Sequence, residues 1–321
     1  MSRRLLSLFW LCAVLLAGCA SAEGAAGGPE AAPTLTPTPD TLGYQAIAPR
    51  SCLIADWSAI QSNKNQGDLI AWRPGQHSLA YLAPAATTTW YIGSLMLASG
   101  PDFADHTPLA ETTLAAGDLT WSPDGARLAF LAFRVDESLE TVMVVAPGEG
   151  PPLDLFPLDA ARTDARTSQK SILDWRDDHT VRVLTSCGED CQQQIDFDTR
   201  DGRASSAAST QRKNASAELN RAGVKSLDGL EPHQNVLEYD PEQYPRGFSR
   251  PNWSPDGRQV VYLDRRGLLW LLNPAEKTQW LLDIGLRVVD ETKWSDDGRL
   301  LAVRAEDRVY VFEIDCQQLT D

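Results

Sequence analysis

Five stretches of the chain begin on a tryptophan, cross a short polar segment and run into apolar residues. They are WRPGQHSLAYL from Trp72, WSPDGARLAFL from Trp121, WRDDHTVRVLT from Trp175, WSPDGRQVVYL from Trp253 and WSDDGRLLAVR from Trp294. Seven positions after the tryptophan stands Leu79, Leu128, Val260 or Leu301, and the copy at Trp175 fits once one residue is deleted. The apolar runs are short, bounded by Gly, Pro, Asp and Ser, and rich in β-branched and aromatic residues, so they predict strands. In Pro-Asp-Gly the proline presets one dihedral, the aspartate bonds back to the backbone and the glycine accepts a positive φ, which predicts a tight turn. Each unit continues into a second strand-like run: TTTWYIGSLMLA, ETVMVVAP, QQIDFDT, GLLWLLNP and RVYVFEID in turn. PLDLFPL at 152–158 and TQWLLDIG at 278–285 supply outer strands. Helical periodicity is largely missing, so the chain reads as all-β, in antiparallel sheets of three to four strands per unit.

A sequence period of about 40 to 55 residues built from such hairpins predicts a β-propeller of four-stranded blades. The motif WSPDG at Trp121 and Trp253, with WSDDG at Trp294, resembles the TolB-type propeller repeat, in which this turn joins the first two strands of a blade. The resemblance spans about residues 52–316 and implies that Trp72, Trp121, Trp175, Trp253 and Trp294 are packing residues between blades rather than a ligand platform. Tryptophan spacings of 49, 54, 78 and 41 favour five blades, with six left open by the long interval. That interval holds a polar stretch near 200–230, read as an insertion with a short helix around Ala215–Ala222, and NVLEYDPEQYPRGFSRPNW, read as an outer strand and linker. The last unit lacks a fourth strand, and CLIADWS at Cys52–Ser58 has the composition to supply it. The ring would then be closed by an N-terminal strand, leaving no bare sheet edge.

The chain begins MSRRLLSLFWLCAVLLAGCA, a basic start followed by an apolar run too short to span a bilayer comfortably. Leu16-Ala17-Gly18-Cys19 resembles the lipobox of bacterial lipoproteins. That resemblance implies a signal peptide over 1–18, cleavage before Cys19, and acyl chains (palmitate among them) on Cys19 that hold the protein on the extracytoplasmic face of a bacterial cell membrane or outer membrane. Each buried methylene adds about 0.8 kcal/mol, so two or three chains make a lasting anchor. Residues 19–42, rich in Ala, Gly, Pro and Thr, cannot bury enough surface to offset ordering and predict a flexible tether. The propeller is then expected over 43–321, running to the C-terminus without room for a hydrolase domain, and as a monomer.

Loss of residues 1–18 removes Arg3 and Arg4 and no acid, which takes the formal charge from −15 to −17. So acidic a surface argues against nucleic acid and against adhesion to anionic lipid through charge. Cys52, Cys187, Cys191 and Cys316 remain for an oxidising compartment, which predicts disulfides. Cys187 and Cys191 are close enough to close their own loop, which leaves Cys52 with Cys316, the pairing that strand closure also favours. A link over so long a loop contributes about 4–5 kcal/mol in the chain-entropy model.

The sequence carries no nucleophile elbow, HExxH, phosphate-binding loop or GxGxxG, so no catalytic residue, metal or cofactor is predicted. The four histidines, His77, His106, His179 and His233, are not grouped. Asp177-Asp178 and Asp296-Asp297 fall in the repeat turns, and Asn214 and Asn252 match a glycosylation pattern that a bacterial setting makes irrelevant. Function is therefore expected on the mouth loops or in the channel. The candidates are Arg200–Gly229, basic in its middle at Arg212, Lys213, Arg221 and Lys225, and the Cys187–Cys191 loop. The favoured expectation is a membrane-anchored scaffold for a protein or cell-envelope polymer. The alternatives are a sensor of sugars or small ligands in the channel, or a glycan-active enzyme using channel carboxylates.

Overall fold

The computed structural model describes residues 45–47 and 53–314, leaving out 62–66, 86–91, 111–113, 135–138, 158–169, 189–190, 212–251, 264–267, 274, 277 and 283–288. The signal peptide, Cys19, the tether, Cys52 and Cys316 lie outside the described residues. Residues 39–321 form one compact unit, and every element described belongs to it. All of those elements are strands.

The described strands form four hydrogen-bonded sheets, of which the eight-stranded one divides into two halves of four strands; counted in chain order these groups make a first to a fifth sheet. The first holds β3 (Ile70–Trp72), β4 (Leu79–Pro84), β5 (Gly93–Ser99) and β6 (Asp105–Pro108), each antiparallel to the one before. The second holds β7 (Leu114–Trp121), β8 (Leu128–Arg134), β9 (Leu139–Val145) and the two-residue β10 (Leu153–Asp154). A short pairing of Gly93 with Ala115 ties these two sheets together. The third holds β11 (Lys170–Trp175), β12 (Thr180–Gly188), β13 (Cys191–Asp198) and β14 (Arg203–Gln211). The fourth holds β15 (Asn252–Trp253), β16 (Val260–Leu263), β17 (Leu269–Asn273) and β18 (Thr278–Leu281). Its outer edge carries β1 (Gln45–Ile47), the one parallel pairing among the described strands. The fifth holds β19 (Val289–Trp294), β20 (Leu300–Ala305) and β21 (Arg308–Glu313), and its fourth strand is β2 (Leu53–Ser58), antiparallel to β21.

The polar stretch assigned to an insertion near 200–230 starts inside a sheet: Arg203–Gln211 is β14. An outermost strand needs little apolar weight, because its backbone pairs on one side only. The remaining residues of that stretch, including Arg212, Lys213, Arg221 and Lys225, lie outside the described residues.

Both faces of a sheet are covered, which explains why the strands read as unbroken apolar runs rather than alternating ones. In β4, Leu79 and Tyr81 pack with Leu300, Ala302, Val309 and Val311 of the fifth sheet. Ala80 and Leu82 pack on the other side with Leu119, Leu128 and Phe130 of the second. Similar clusters join the second sheet to the third, with Val142, Val144, Val181, Val183 and Phe197, and the fourth to the fifth, with Leu271, Trp294, Leu301 and Phe312.

The repeated turn has one geometry. Ser122 Oγ donates to Asp124 Oδ1 at 2.6 Å and accepts from Arg127 N at 2.9 Å, while Asp124 Oδ1 also accepts from Ala126 N at 2.9 Å. Ser254 with Asp256, and Ser295 with Asp297, repeat the pattern within 0.1 Å in the hydroxyl–carboxylate bond. Gly125, Gly257 and Gly298 sit at φ of 68°, 71° and 69°, where a side chain is strained.

Candidate functional site

The strand that ends in the repeat tryptophan is a sheet edge at β3, β11, β15 and β19, and is paired beyond β8 only at Leu114 and Ala115 in β7; these strands lie beside one another: β19 against β3, β3 against β7, β7 against β11 and β15 against β19. The tryptophans fix that arrangement. Trp121 Nε1 donates to Ala71 O at 3.1 Å, Trp175 Nε1 to Thr120 O at 3.1 Å, Trp294 Nε1 to Asn252 O at 3.0 Å and Trp72 Nε1 to Lys293 O at 2.9 Å. In every case the acceptor is the residue just before the tryptophan of the preceding sheet, and Trp72 reaches back to the last sheet.

An edge strand has backbone N–H groups with no ladder partner, and buried ones must be satisfied elsewhere. Three residues before the tryptophan, two sheets use a carboxylate from a neighbour. Leu69 N donates to Glu291 Oε2 at 3.0 Å and Ile172 N to Asp118 Oδ2 at 3.0 Å. Leu119 N donates instead to Asp68 O at 2.9 Å. Asp118 stands at φ 54° and its carboxylate lies against Gly67: a Cβ there would meet Asp118 Oδ1 at 1.4 Å.

Charge gathers around these carboxylates. Lys293 Nζ reaches Asp68 Oδ2 at 2.5 Å and Glu291 Oε1 at 4.0 Å. The Arg304 side chain, only 2% exposed, pairs with Asp290 at 3.3 Å and Glu291 at 3.5 Å. Burial pushes the Glu291 carboxyl up to about 7, and Asp68 pushes the same way against Lys293 and Arg304. Burial raises Asp118 to about 6, the Ile172 N–H opposes it, and Asp68 and Glu140 add to the rise. Two carboxyl groups that burial pushes up thus stand where these strands meet, and of the two Glu291 lies beside the cations Lys293 and Arg304. Among the described residues no group of three or more His, Cys, Asp or Glu side chains is placed to hold a metal ion.

The residues singled out from the sequence fall elsewhere. Trp72, Trp121 and Trp294 are buried and Trp175 and Trp253 half-buried, and all but Trp253 bond to the preceding sheet. Cys187 and Cys191 lie on adjacent strands, with Gly188 paired to Cys191. Asp296 and Asp297 do more than shape a turn: Asp296 accepts from Gly75 N at 3.1 Å and Asp297 is 2.8 Å from His77 Nε2, joining the fifth sheet's turn to the first's. Asp68, Asp118, Glu291, Lys293 and Arg304 escaped the sequence reading. For Asp118 and Glu291 alone there is a signal, an acid three residues before the tryptophan, where Leu69 and Ile172 stand in two other units.

The fold and this site define an all-β protein of antiparallel four-stranded sheets. The sequence model of the family described as the lipoprotein LpqB beta-propeller domain matches residues 105–230, from β6 past β14. No curated protein matches the chain. Among solved structures, the propeller domain of the trilobed protease from Pyrococcus furiosus is similar at 12% identity and TM-score 0.34, over 81% of this chain and 71% of that one. TolB from Acinetobacter baumannii is similar at 14% and 0.32, over 77% and 55%, and the Dos1 propeller at 10% and 0.36, over 80% and 95%.

Proposed function

We propose that the protein is a five-bladed β-propeller, held by acyl chains on Cys19 at the extracytoplasmic face of a bacterial membrane, that docks a protein or cell-envelope polymer. The tryptophan relay carries the reading: it runs from the first sheet to the third, from the fourth to the fifth, and back from the fifth to the first, with β2 as the final sheet's fourth strand. Such an order around an axis displays loops at two mouths, and the similarity of residues 105–230 to a lipoprotein propeller domain supports the address. Disulfides Cys52–Cys316 and Cys187–Cys191 belong to the same reading, and the acting species is a monomer.

The test is capture from envelope extract by residues 43–321, with thermal-shift screening of sugars and peptides beside it. A protein or polymer retained in moderate salt supports the scaffold; a shift with a sugar and no retained partner overturns it.

A second reading, an enzyme or sensor acting on sugars, draws on Asp118 and Glu291, whose carboxylates each accept a backbone N–H where the sheets meet and are pushed up by burial, as suits a proton donor in glycoside chemistry. Turnover of a glycan that Asp118→Asn abolishes, with folding intact, would decide for it.

A further inference from the structure

Where the fifth sheet meets the first, three charged side chains are held by backbone bonds to neighbouring sheets. Lys293 stands one residue before Trp294 on β19, and its carbonyl accepts the Trp72 indole N–H at 2.9 Å. Asp68 lies two residues before β3, and its carbonyl accepts the N–H of Leu119 at 2.9 Å. Glu291 completes the group: its Oε2 accepts the N–H of Leu69, the residue after Asp68, at 3.0 Å. None of these bonds uses the amine of Lys293, the carboxylate of Asp68 or Oε1 of Glu291.

Those remaining groups converge. Lys293 Nζ is 2.5 Å from Asp68 Oδ2 and 4.0 Å from Glu291 Oε1. Glu291 Oε1 is buried and takes part in no hydrogen bond, so it is open to a proton. Burial pushes that carboxyl up to about 7, which suits it to take and return a proton near neutrality. Asp68 is half-exposed, which leaves a released water a way out. An amine and a carboxyl group fixed in this way are the reactants of an amide. Well-oriented groups react as if present at about 10⁵–10⁸ M, which favours a condensation that free amines and acids do not undergo in water.

We propose that Lys293 and Asp68 join through an amide bond between Nζ and Cγ, a self-made covalent clasp of the fifth sheet on the first. Lys293 passes one ammonium proton to the Asp68 carboxylate. The free amine attacks Cγ, and as the C–N bond forms the nitrogen gives a second proton to ionised Glu291. Glu291 hands it to the departing hydroxyl, the C–O bond breaks and water leaves. One ammonium and one carboxylate become one amide and one water, with no oxidant, reductant or co-substrate. The link joins residues 225 positions apart and does not depend on the scaffold reading.

Mass spectrometry of the reduced, digested full chain tests this directly. The parent should yield a pair of peptides joined at Asp68 and Lys293, lighter by one water than the two peptides apart. Asp68→Ala and Lys293→Arg should each remove that pair. In pulse-labelled chains, Glu291→Gln should slow its appearance at least about a hundredfold without changing the linked product. Parent protein whose peptides carrying 68 and 293 are recovered only apart overturns the inference, and this outcome needs no variant to fold. Linkage of Glu291→Gln at the parent's rate overturns the role given to Glu291.

Discussion

Asp118 and Glu291 do the same job, accepting an edge-strand N–H from a neighbouring sheet, but their surroundings differ and so should their substitutions. Asp118 is raised to about 6 by burial, with no cation among the causes. In the unfolded chain an aspartate titrates near the ordinary value of about 4. The folded state therefore holds the proton more tightly, and the stability this group contributes is present below about pH 4 and lost as the pH climbs through about 6. Asp118→Asn keeps an oxygen for Ile172 N–H and removes the ionisation. Urea unfolding should show the variant as stable as the parent at about pH 3, and more stable by on the order of 1–3 kcal/mol at about pH 8. Glu291 is raised to about 7 by burial, against the pull of Lys293 and Arg304, so its window reaches higher: Glu291→Gln should match the parent near about pH 3 and be the more stable above about pH 7. A loss at alkaline pH would show instead that ionised Glu291 holds the buried Arg304, whose other partners are Asp290 and the Ile60 carbonyl.

Between elements, the indole bonds make a graded series available. Trp72→Phe keeps most of the apolar surface but leaves the Lys293 carbonyl without its donor, which should cost about 1–3 kcal/mol in denaturant melts. Trp121→Phe and Trp175→Phe should behave alike through Ala71 and Thr120. Trp253→Phe should be close to neutral, since it removes a buried N–H that has no partner. Equal losses at all five positions would show that ring size, not the hydrogen bond, is what matters. β2 gives a second test at this scale. It is held by its ladder with β21, by Arg308 on Asp56, and by Trp57, which packs between Tyr81 and Phe103 at centroid distances of 5.3 and 6.1 Å. Deleting 53–58 would bare the β21 edge and open the aromatic cluster to water, so loss of cooperative unfolding and self-association in sedimentation are expected.

For the whole molecule, the proposed disulfides bear on how the two ends of the chain are held. Cys52 directly precedes β2, and Cys316 follows β21, whose Phe312 pairs with Leu53. Intact-mass measurement of the unreduced protein should show the hydrogens of two disulfides missing, and peptide mapping should link Cys52 to Cys316 and Cys187 to Cys191. Free thiols at 52 and 316 would remove the covalent clasp and leave the ladder alone to hold β2.

Much of this organisation was legible in the residues. The tryptophans, the Ser-Pro-Asp-Gly turns and the short apolar runs are local signals, so strands β3, β4, β7, β8, β16 and β20 and their turns follow from composition and spacing. The missing fourth strand of the last sheet could also be found by counting, and Leu53–Ser58 takes that place. Other features could not be read this way. Arg203–Gln211 is a strand only because β13 offers it a ladder, and nothing in RASSAASTQ competes with a loop reading on its own. Gln45–Ile47 joins the fourth sheet in parallel through backbone groups that any sequence possesses.

The site shows the division most sharply. A sequence declares that Asp118 and Glu291 are acids three residues before a tryptophan, and no more. Their titration near neutral pH arises from burial at the meeting of edge strands and from the nearness of Asp68, a residue 50 positions from one and 223 from the other. By itself the sequence determined the repeating unit, because turn chemistry and strand pattern act over a few residues. The order of the sheets, the relay among them and the ionisation of the central carboxyls were decided by tertiary structure, because desolvation and unpaired edge groups arise only when distant strands meet.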